Sequence, residues 1–327
     1  MHLGYVATPH DALFKRVFSQ PHHAAGELQH VLPAAVTELI DWKTLQLVSG
    51  SVVDPQHRDR HADLLYSVKA AGRKVLLYVL FEHKSGPDAL TPFQLLVYMV
   101  RIWERCLAKK PRPKKLPPIV PVVVHHSDRA WSCGTNLRDL IDVPAGLHDA
   151  LSSLLPSVPF LLDDLARESS DDLHARAMTE MAKLTLFCLK RARHSGDLLG
   201  ELERWADALR AVWAARDGAA ALDSVFLYIS QVTDLPEDDV SHFVTVEIGP
   251  ESEQLLKTTY DRLMEKGRVE GRVEGGAAIL LKLLTERFGA LPDDVVERAR
   301  TASEEQLGLW AGSVLRAERL EDVFATD

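Results

Sequence analysis

Residues 62–85 read ADLLYSVKAAGRKVLLYVLFEHKS. Two runs rich in apolar, β-branched and aromatic residues, 62–69 and 74–83, flank Ala-Ala-Gly-Arg, where Gly72 supplies a turn. That is the pattern of a β-hairpin. If Ala71 and Gly72 are the two loop residues, antiparallel pairing sets Asp63 opposite Leu80. Side chains alternate along a strand, so Glu82 falls on the face of Asp63 as its diagonal neighbour, about 7–8 Å away by Cα, and Lys84 continues that face. Two carboxylates at that separation can share a hard divalent cation, and a lysine beside them can offset charge or help activate a metal-bound water. Such a set suits phosphodiester hydrolysis. Each residue alone is commonplace at a strand end, solvated or ion-paired. The set rises above that because LLYVLFE carries Glu82 straight out of an apolar strand, where an ionised group needs a partner or a metal.

Working outward, HDALFKRVF (10–18) and residues 23–40 place apolar side chains at helical spacing, with Pro33 interrupting the second segment. LQLVSGSVV (45–53) has strand character. TPFQLLVYMVRIWERCLA (91–108) predicts a helix over the sheet, with Thr91 as N-cap and Pro92 at its first position. KKPRPKKLPP (109–118) leads into IVPVVVHH (119–126), whose unbroken apolar run fits a strand buried on both faces. The order is α-β-β-β-α-β, a mixed sheet flanked by helices. From residue 136 the texture turns helical, over 146–155, 171–194, 199–215, 219–230 and 251–266, with no convincing strand alternation. Gly-Arg-Val-Glu occurs twice at 267–274, and each glycine costs a helix about 1 kcal/mol relative to Ala. Residues 277–326 read as three or four short amphipathic helices, punctuated by Gly289 and Pro292, with a capping box at Ser303 and Gln306. The expected partition is a core over 1–135, a helical extension over 136–266, a linker over 267–276 and a small helical domain over 277–327.

The chain of 327 residues is 46% hydrophobic and 26% charged, enough to bury a sizeable core. No apolar run spans a membrane, and the N-terminus lacks a basic segment leading into an apolar one, so a cytoplasmic protein is expected. Cys106, Cys133 and Cys188 form no CxxC pair and support neither a disulfide framework nor a thiolate zinc site. The net charge of −9 hides an asymmetry: residues 1–130 carry seventeen Lys and Arg against eleven Asp and Glu, and the remainder is strongly acidic. A basic N-terminal part therefore remains suited to a phosphate backbone. Motifs of nucleotide-dependent motors, dehydrogenases, serine esterases and zinc fingers are absent from the sequence. The pairs His22-His23 and His125-His126 diverge along their elements and lack HExxH spacing, so they read as incidental. The aromatics Trp103, Trp131, Trp205, Trp213 and Trp310 read as core.

Taken together, HDALFKRVF (10–18), ADLLYSV (62–68), YVLFEHKS (78–85), PFQLLVYMVRIWE (92–104) and LPPIVPVVVHH (116–126) resemble the Rpn (recombination-promoting nuclease, YhgA-like putative transposase) family of the PD-(D/E)XK nuclease superfamily. The resemblance covers roughly the first 130 to 200 residues. It implies a restriction-endonuclease-like α/β core followed by a mostly helical part, and a metal-dependent DNA endonuclease linked to recombination or mobile DNA, with Mg²⁺ as cofactor. On this resemblance Asp63 and Glu82 match the metal-binding acids, joined by the backbone carbonyl of His83, and Lys84, where many relatives carry Gln, matches the last motif position. Asp11 matches the acid of the N-terminal helix motif, as a metal or water contact or as a helix cap. Gln94 stands where related nucleases place a supporting polar residue and members of this family often carry Arg. The motif proline is absent, since His61-Ala62 precede Asp63. Lys109, Lys110, Arg112, Lys114 and Lys115, with Arg101 and Arg105 on the preceding helix, are candidate contacts to the DNA backbone, or else a solvated linker stiffened by prolines. Cutting of both strands by a chain with one site calls for a homodimer.

Two rival readings remain. A DDE-type transposase also holds divalent metal on sheet acids, but needs a third carboxylate on a later helix, for which Glu104 is the candidate. A catalytically silent scaffold with a nuclease-like core would instead bind DNA or protein without cutting.

Overall fold

The structure, a computed structural model, describes residues 8–48, 64–71, 75–84 (backbone only), 86–111, 113–193, 196–252, 268, 272–273 and 275–324. It divides into two compact units, Met1–Leu256 and Lys257–Asp327.

The first unit begins with α1 (Pro9–Phe18), α2 (Pro21–Val31) and the single turn α3 (Ala34–Thr37). Thr8 caps α1 by accepting the Asp11 N–H, Pro9 opens the first turn, and Leu13, Phe14, Val17 and Phe18 form the buried stripe. Pro33 separates α2 from α3, as its missing N–H dictates. The sheet follows: β1 (Ile40–Leu47), β2 (Leu64–Ala70), β3 (Val75–Lys84), then α4 (Thr91–Ala108), β4 (Ile119–His125), the turn α5 (His148–Leu151) and β5 (Leu161–Asp164). Spatial order equals chain order. The β1–β2 and β2–β3 pairs are antiparallel, β3–β4 and β4–β5 parallel. A mixed α/β fold is therefore present.

Three expectations are corrected. β1 begins at Ile40 rather than residue 45, because it is an exposed edge whose polar residues mask its pattern; part of 45–53 lies outside the described residues. Leu90, not Thr91, occupies the N-cap of α4: Thr91 is fully buried, and Asp88 instead accepts the Leu90 N–H. β5, absent from the sequence reading, is a four-residue edge strand of which half is acidic.

Both faces of the sheet are covered. On one, Met99, Ile102 and Cys106 of α4 pack with Leu65 and Ile119, and Leu95 packs with Val123, Trp131 and Phe160. The helical part that follows comprises α6 (Ser170–Ala175), α7 (Glu180–Arg191), α8 (Leu198–Glu203), α9 (Ala206–Trp213), α10 (Gly218–Val232) and α11 (Glu237–Glu247). Met181 through Leu189 of α7 are buried without interruption, so this helix is enclosed on every side, and it packs against α1, α2, α6, α9 and α10. Cys188 lies within it, its thiol pushed up to about 12 by burial. Gly218 is required where α9 turns into α10, since a Cβ there would stand 2.1 Å from the Val212 carbonyl oxygen.

In the second unit, α12 (residues 275–288), α13 (Asp293–Arg300), α14 (Glu304–Val314) and α15 (Leu320–Val323) enclose Leu280, Leu284, Ala299, Leu307, Trp310, Val314 and Val323. Gly289, at φ +80°, ends α12, and Ser303 with Gln306 forms the expected capping box. The Arg298 guanidinium lies 5.2 Å from the Trp310 ring centre and 4.8 Å from that of Phe324. Residues 253–266 and most of the Gly-Arg-Val-Glu repeat lie outside the described residues.

Candidate functional site

β3 ends with Glu82, His83 and Lys84, whose Cα partners on β4 are Val123, Val124 and His125. On β5 the series continues with Leu162, Asp163 and Asp164. The last three rungs are therefore Glu82–Val123–Leu162, His83–Val124–Asp163 and Lys84–His125–Asp164. Successive residues of a strand face opposite sides of a sheet, so Val123 and Leu162 share a face with His125 and Asp164. Val123 and Leu162 identify that face as the one under α4, since both pack with Leu95. The side chains of Glu82, His83 and Lys84, and all of Asp63, lie outside the described residues. The β2–β3 register is described: Leu65, not Asp63, faces Leu80, and the last pair is Leu64 with Phe81. The two-residue loop expected from Ala71-Gly72 is replaced by a longer connection from β2 to β3, which Ala71 enters at φ 54°.

Gln94 lies in the first turn of α4, and its amide donates to Asp88 at 2.9 Å. Asp11 is buried, in the first turn of α1; Thr8 is the N-cap, so the capping role considered for Asp11 falls away. Lys109, Lys110, Lys114 and Lys115 are exposed beyond the end of α4, Arg101 and Arg105 are half-buried on it, and Arg112 lies outside the described residues. Glu104 is exposed on α4. Among the described residues no group of three or more His, Cys, Asp and Glu is arranged to hold a metal ion, nor is any helix long and apolar enough to cross a membrane.

In the sequence His125 reads as incidental and Asp164 carries no signal; the fold joins them. The His125 Nδ1–H donates to Asp164 Oδ1 at 2.7 Å. Asp164 Oδ2 accepts the backbone N–H of Trp131 at 2.8 Å and forms an ion pair with Arg167, whose Nε stands 3.0 Å away. The Trp131 ring stands edge-on to the imidazole, 5.3 Å between centres. His125 and Asp164 are 39 residues apart, so no local spacing could have disclosed the pair.

On the opposite face Asp163 belongs to a buried ionic cluster. Arg176 bonds Glu27 Oε2 at 2.8 Å, both oxygens of Asp163 at 2.8 and 2.9 Å, and Glu168 at 2.5 Å. One guanidinium thus serves three carboxyls. Burial, then the neighbouring Asp163, pushes Glu27 well above the usual carboxyl range. Burial also acts to raise Asp163, but hydrogen bonds from Arg176 and Glu27 outweigh it and hold that carboxyl below its ordinary value.

Comparisons with known proteins agree on kinship. The model of the family described as "Putative transposase, YhgA-like" matches residues 8–219. The chain is 28% identical to Recombination-promoting nuclease RpnA of Escherichia coli (strain K12) over 302 residues, covering 92% of this chain and 96% of that one. It is 36% identical to Recombination-promoting nuclease RpnD of Escherichia coli O157:H7 over 129 residues, 38% of this chain and 49% of that one. It is also 25% identical, over 86% of its length and 91% of the relative's, to Inactive recombination-promoting nuclease-like protein RpnE of Escherichia coli (strain K12). No solved structure matches.

Proposed function

The chain belongs to the YhgA-like putative transposase family, that of the Rpn proteins, and from that premise we propose that it is a metal-dependent DNA endonuclease of the PD-(D/E)XK kind, linked to recombination. The observation that carries the reading is the position of Glu82 and Lys84: alternate residues at the end of β3, where the sheet changes from antiparallel to parallel pairing, beneath a helix that brings Gln94 in its first turn. The α-β-β-β-α-β order and the strand directions support a restriction-endonuclease-like core.

Asp63, Glu82 and the His83 carbonyl are hard oxygen donors, a set whose chemistry fits Mg²⁺ better than a soft or borderline ion. Bound there, the ion supplies charge neutralisation at the phosphate and lowers the pKa of a water. The chain's own residues do the rest. Lys84 orients the attacking water and offsets negative charge as it develops on the phosphoryl oxygens. Gln94, tethered by Asp88, supports the site from α4. Lys109, Lys110, Lys114 and Lys115, exposed beyond that helix, contact the DNA backbone without reading sequence, with Arg112, Arg101 and Arg105 beside them. Cutting of both strands brings two copies together.

Supercoiled plasmid incubated with the purified chain and Mg²⁺ or EDTA tests this. Nicking is expected with Mg²⁺ only, and Glu82→Ala is expected to lower its rate by at least about 100-fold. Equal metal-dependent cleavage by Glu82→Ala overturns the site. Strand transfer in place of hydrolysis indicates a transposase, and DNA binding without reaction indicates a scaffold akin to the relative named inactive.

A further inference from the structure

Residues of α1, α2, α7, α9 and α10 enclose a cavity of about 490 Å³, within the size range of small-molecule sites and wholly inside the first unit. Its walls are largely apolar: Met181 and Val212, with four alanines of α9, α10 and the turn between them. Its polar groups are few and come from different elements. His23 is only 9% exposed, and its Nδ1 stands 2.7 Å from the Thr179 hydroxyl. That oxygen already accepts the Ala182 N–H as the cap of α7, so its O–H is left to give to Nδ1, and the ring proton then stands on Nε2. Nε2 has no hydrogen-bond partner among the described residues. Burial, then the adjacent His22, pushes His23 down to about 4, so the ring is a neutral donor at ordinary pH.

Arg16 and Arg216, both exposed, border the same cavity. Arg16 gives one N–H to the Ala220 carbonyl at 3.0 Å, and Arg216 has no partner among the described residues. The first turns of α2 and α10 also border it, and neither has a side chain capping its N–H groups, so their positive ends add to the arginines. Of the carboxylates there, Glu180 is held by Lys183 at 2.7 Å, which leaves Asp217 against two guanidinium groups. A surplus of one positive charge suits a monoanion better than a dianion.

We propose that this cavity binds a small molecule with an apolar body and a single carboxylate, the body against Met181, Val212 and the alanines, the carboxylate held by the His23 N–H and the two arginines. Binding here is independent of the nuclease reading, since none of these residues belongs to the candidate metal site.

Octanoate is the probe, titrated calorimetrically into the full chain beside octanol, which keeps the apolar body without the charge, and acetate, which keeps the charge without the body. One octanoate per chain is expected, with octanol and acetate each at least about 10-fold weaker. The double variant Arg16→Ala/Arg216→Ala, with wild-type circular dichroism, is expected to weaken octanoate about 10-fold and to leave octanol unchanged. Ala221→Phe fills the cavity from α10 and is expected to abolish binding of both; should it not fold, Ala220→Trp carries the same test. No octanoate binding, octanol as tight as octanoate, or unaltered octanoate binding in the double arginine variant or the filled cavity overturns the proposal.

Discussion

Asp163 and Asp164 are successive residues of β5, leave the sheet on opposite faces, and are put to different uses. Asp163 joins Glu27, Glu168 and Arg176 in a largely buried cluster that lines part of a cavity also bordered by Asp164; Arg176 meets each carboxyl within hydrogen-bond distance, and Glu27 Oε1 has no partner among the described residues. Asp164 orients a histidine whose remaining nitrogen has no partner among the described residues, and it is braced by Arg167, whose side chain is 69% exposed. The first arrangement ties helices to the sheet through one shared guanidinium; the second fixes the orientation of an imidazole. What separates the two carboxylates is the alternation of the strand, with nothing in their immediate sequence to tell them apart.

The sharpest way to break this comparison is on the Asp163 side. Arg176→Met leaves carboxyl groups buried without a cation and is expected to cost about 3–5 kcal/mol of stability in urea unfolding. A loss below about 1 kcal/mol would show that the cluster is not a structural lock.

Glu27 gives a smaller effect with a sign that depends on pH. Its folded value is raised, so its contribution is full below the ordinary carboxyl range and is lost as pH climbs toward that raised value. Asp163 runs the other way: its stabilisation is present above the ordinary range and is lost as pH falls through its lowered folded value. Glu27→Gln keeps an acceptor for Arg176 and removes the titration. Its melting midpoint relative to wild type is expected to rise as pH climbs above the ordinary carboxyl range, and a constant difference would count against a raised Glu27.

The smallest effect belongs to the Asp164 side. Arg167→Ala removes a solvent-exposed partner of Asp164 and is expected to change stability by no more than about 1 kcal/mol. A larger loss in the same urea titration would show that the exposed arginine, and not the buried histidine, anchors Asp164.

Much of the sheet was written in periodicity. The alternating hairpin, the amphipathic α4 and the apolar run of β4 each bury what their pattern says they should, as Leu65, Ile102 and Val123 show. The failures share a physical cause. β5 has only four residues, two of them acids whose partners, His125 and Arg176, come from β4 and from the C-cap that follows α6, so no window along the chain discloses why acids belong there. The register slipped because a turn was assigned from Gly72, whereas β2 runs to Ala70 and β3 begins at Val75. Of the site, the Glu-x-Lys spacing was visible because both residues lie on one strand. The His125–Asp164 pair was invisible because it exists only once β4 and β5 lie side by side.

The place of β4 between β3 and the edge strand β5 also sets terms for how the chain acquires its structure. Both of its neighbours are parallel, so β4 is reached from β3 only after residues 85–118 and joined to β5 only after residues 126–160. A hairpin zips locally; these pairings need two large loops to close first, which slows assembly. Until then β3, carrying its apolar run, has β2 on one side and an open edge on the other. A chain emerging from the ribosome therefore displays an aggregation-prone strand until more than thirty further residues have been made.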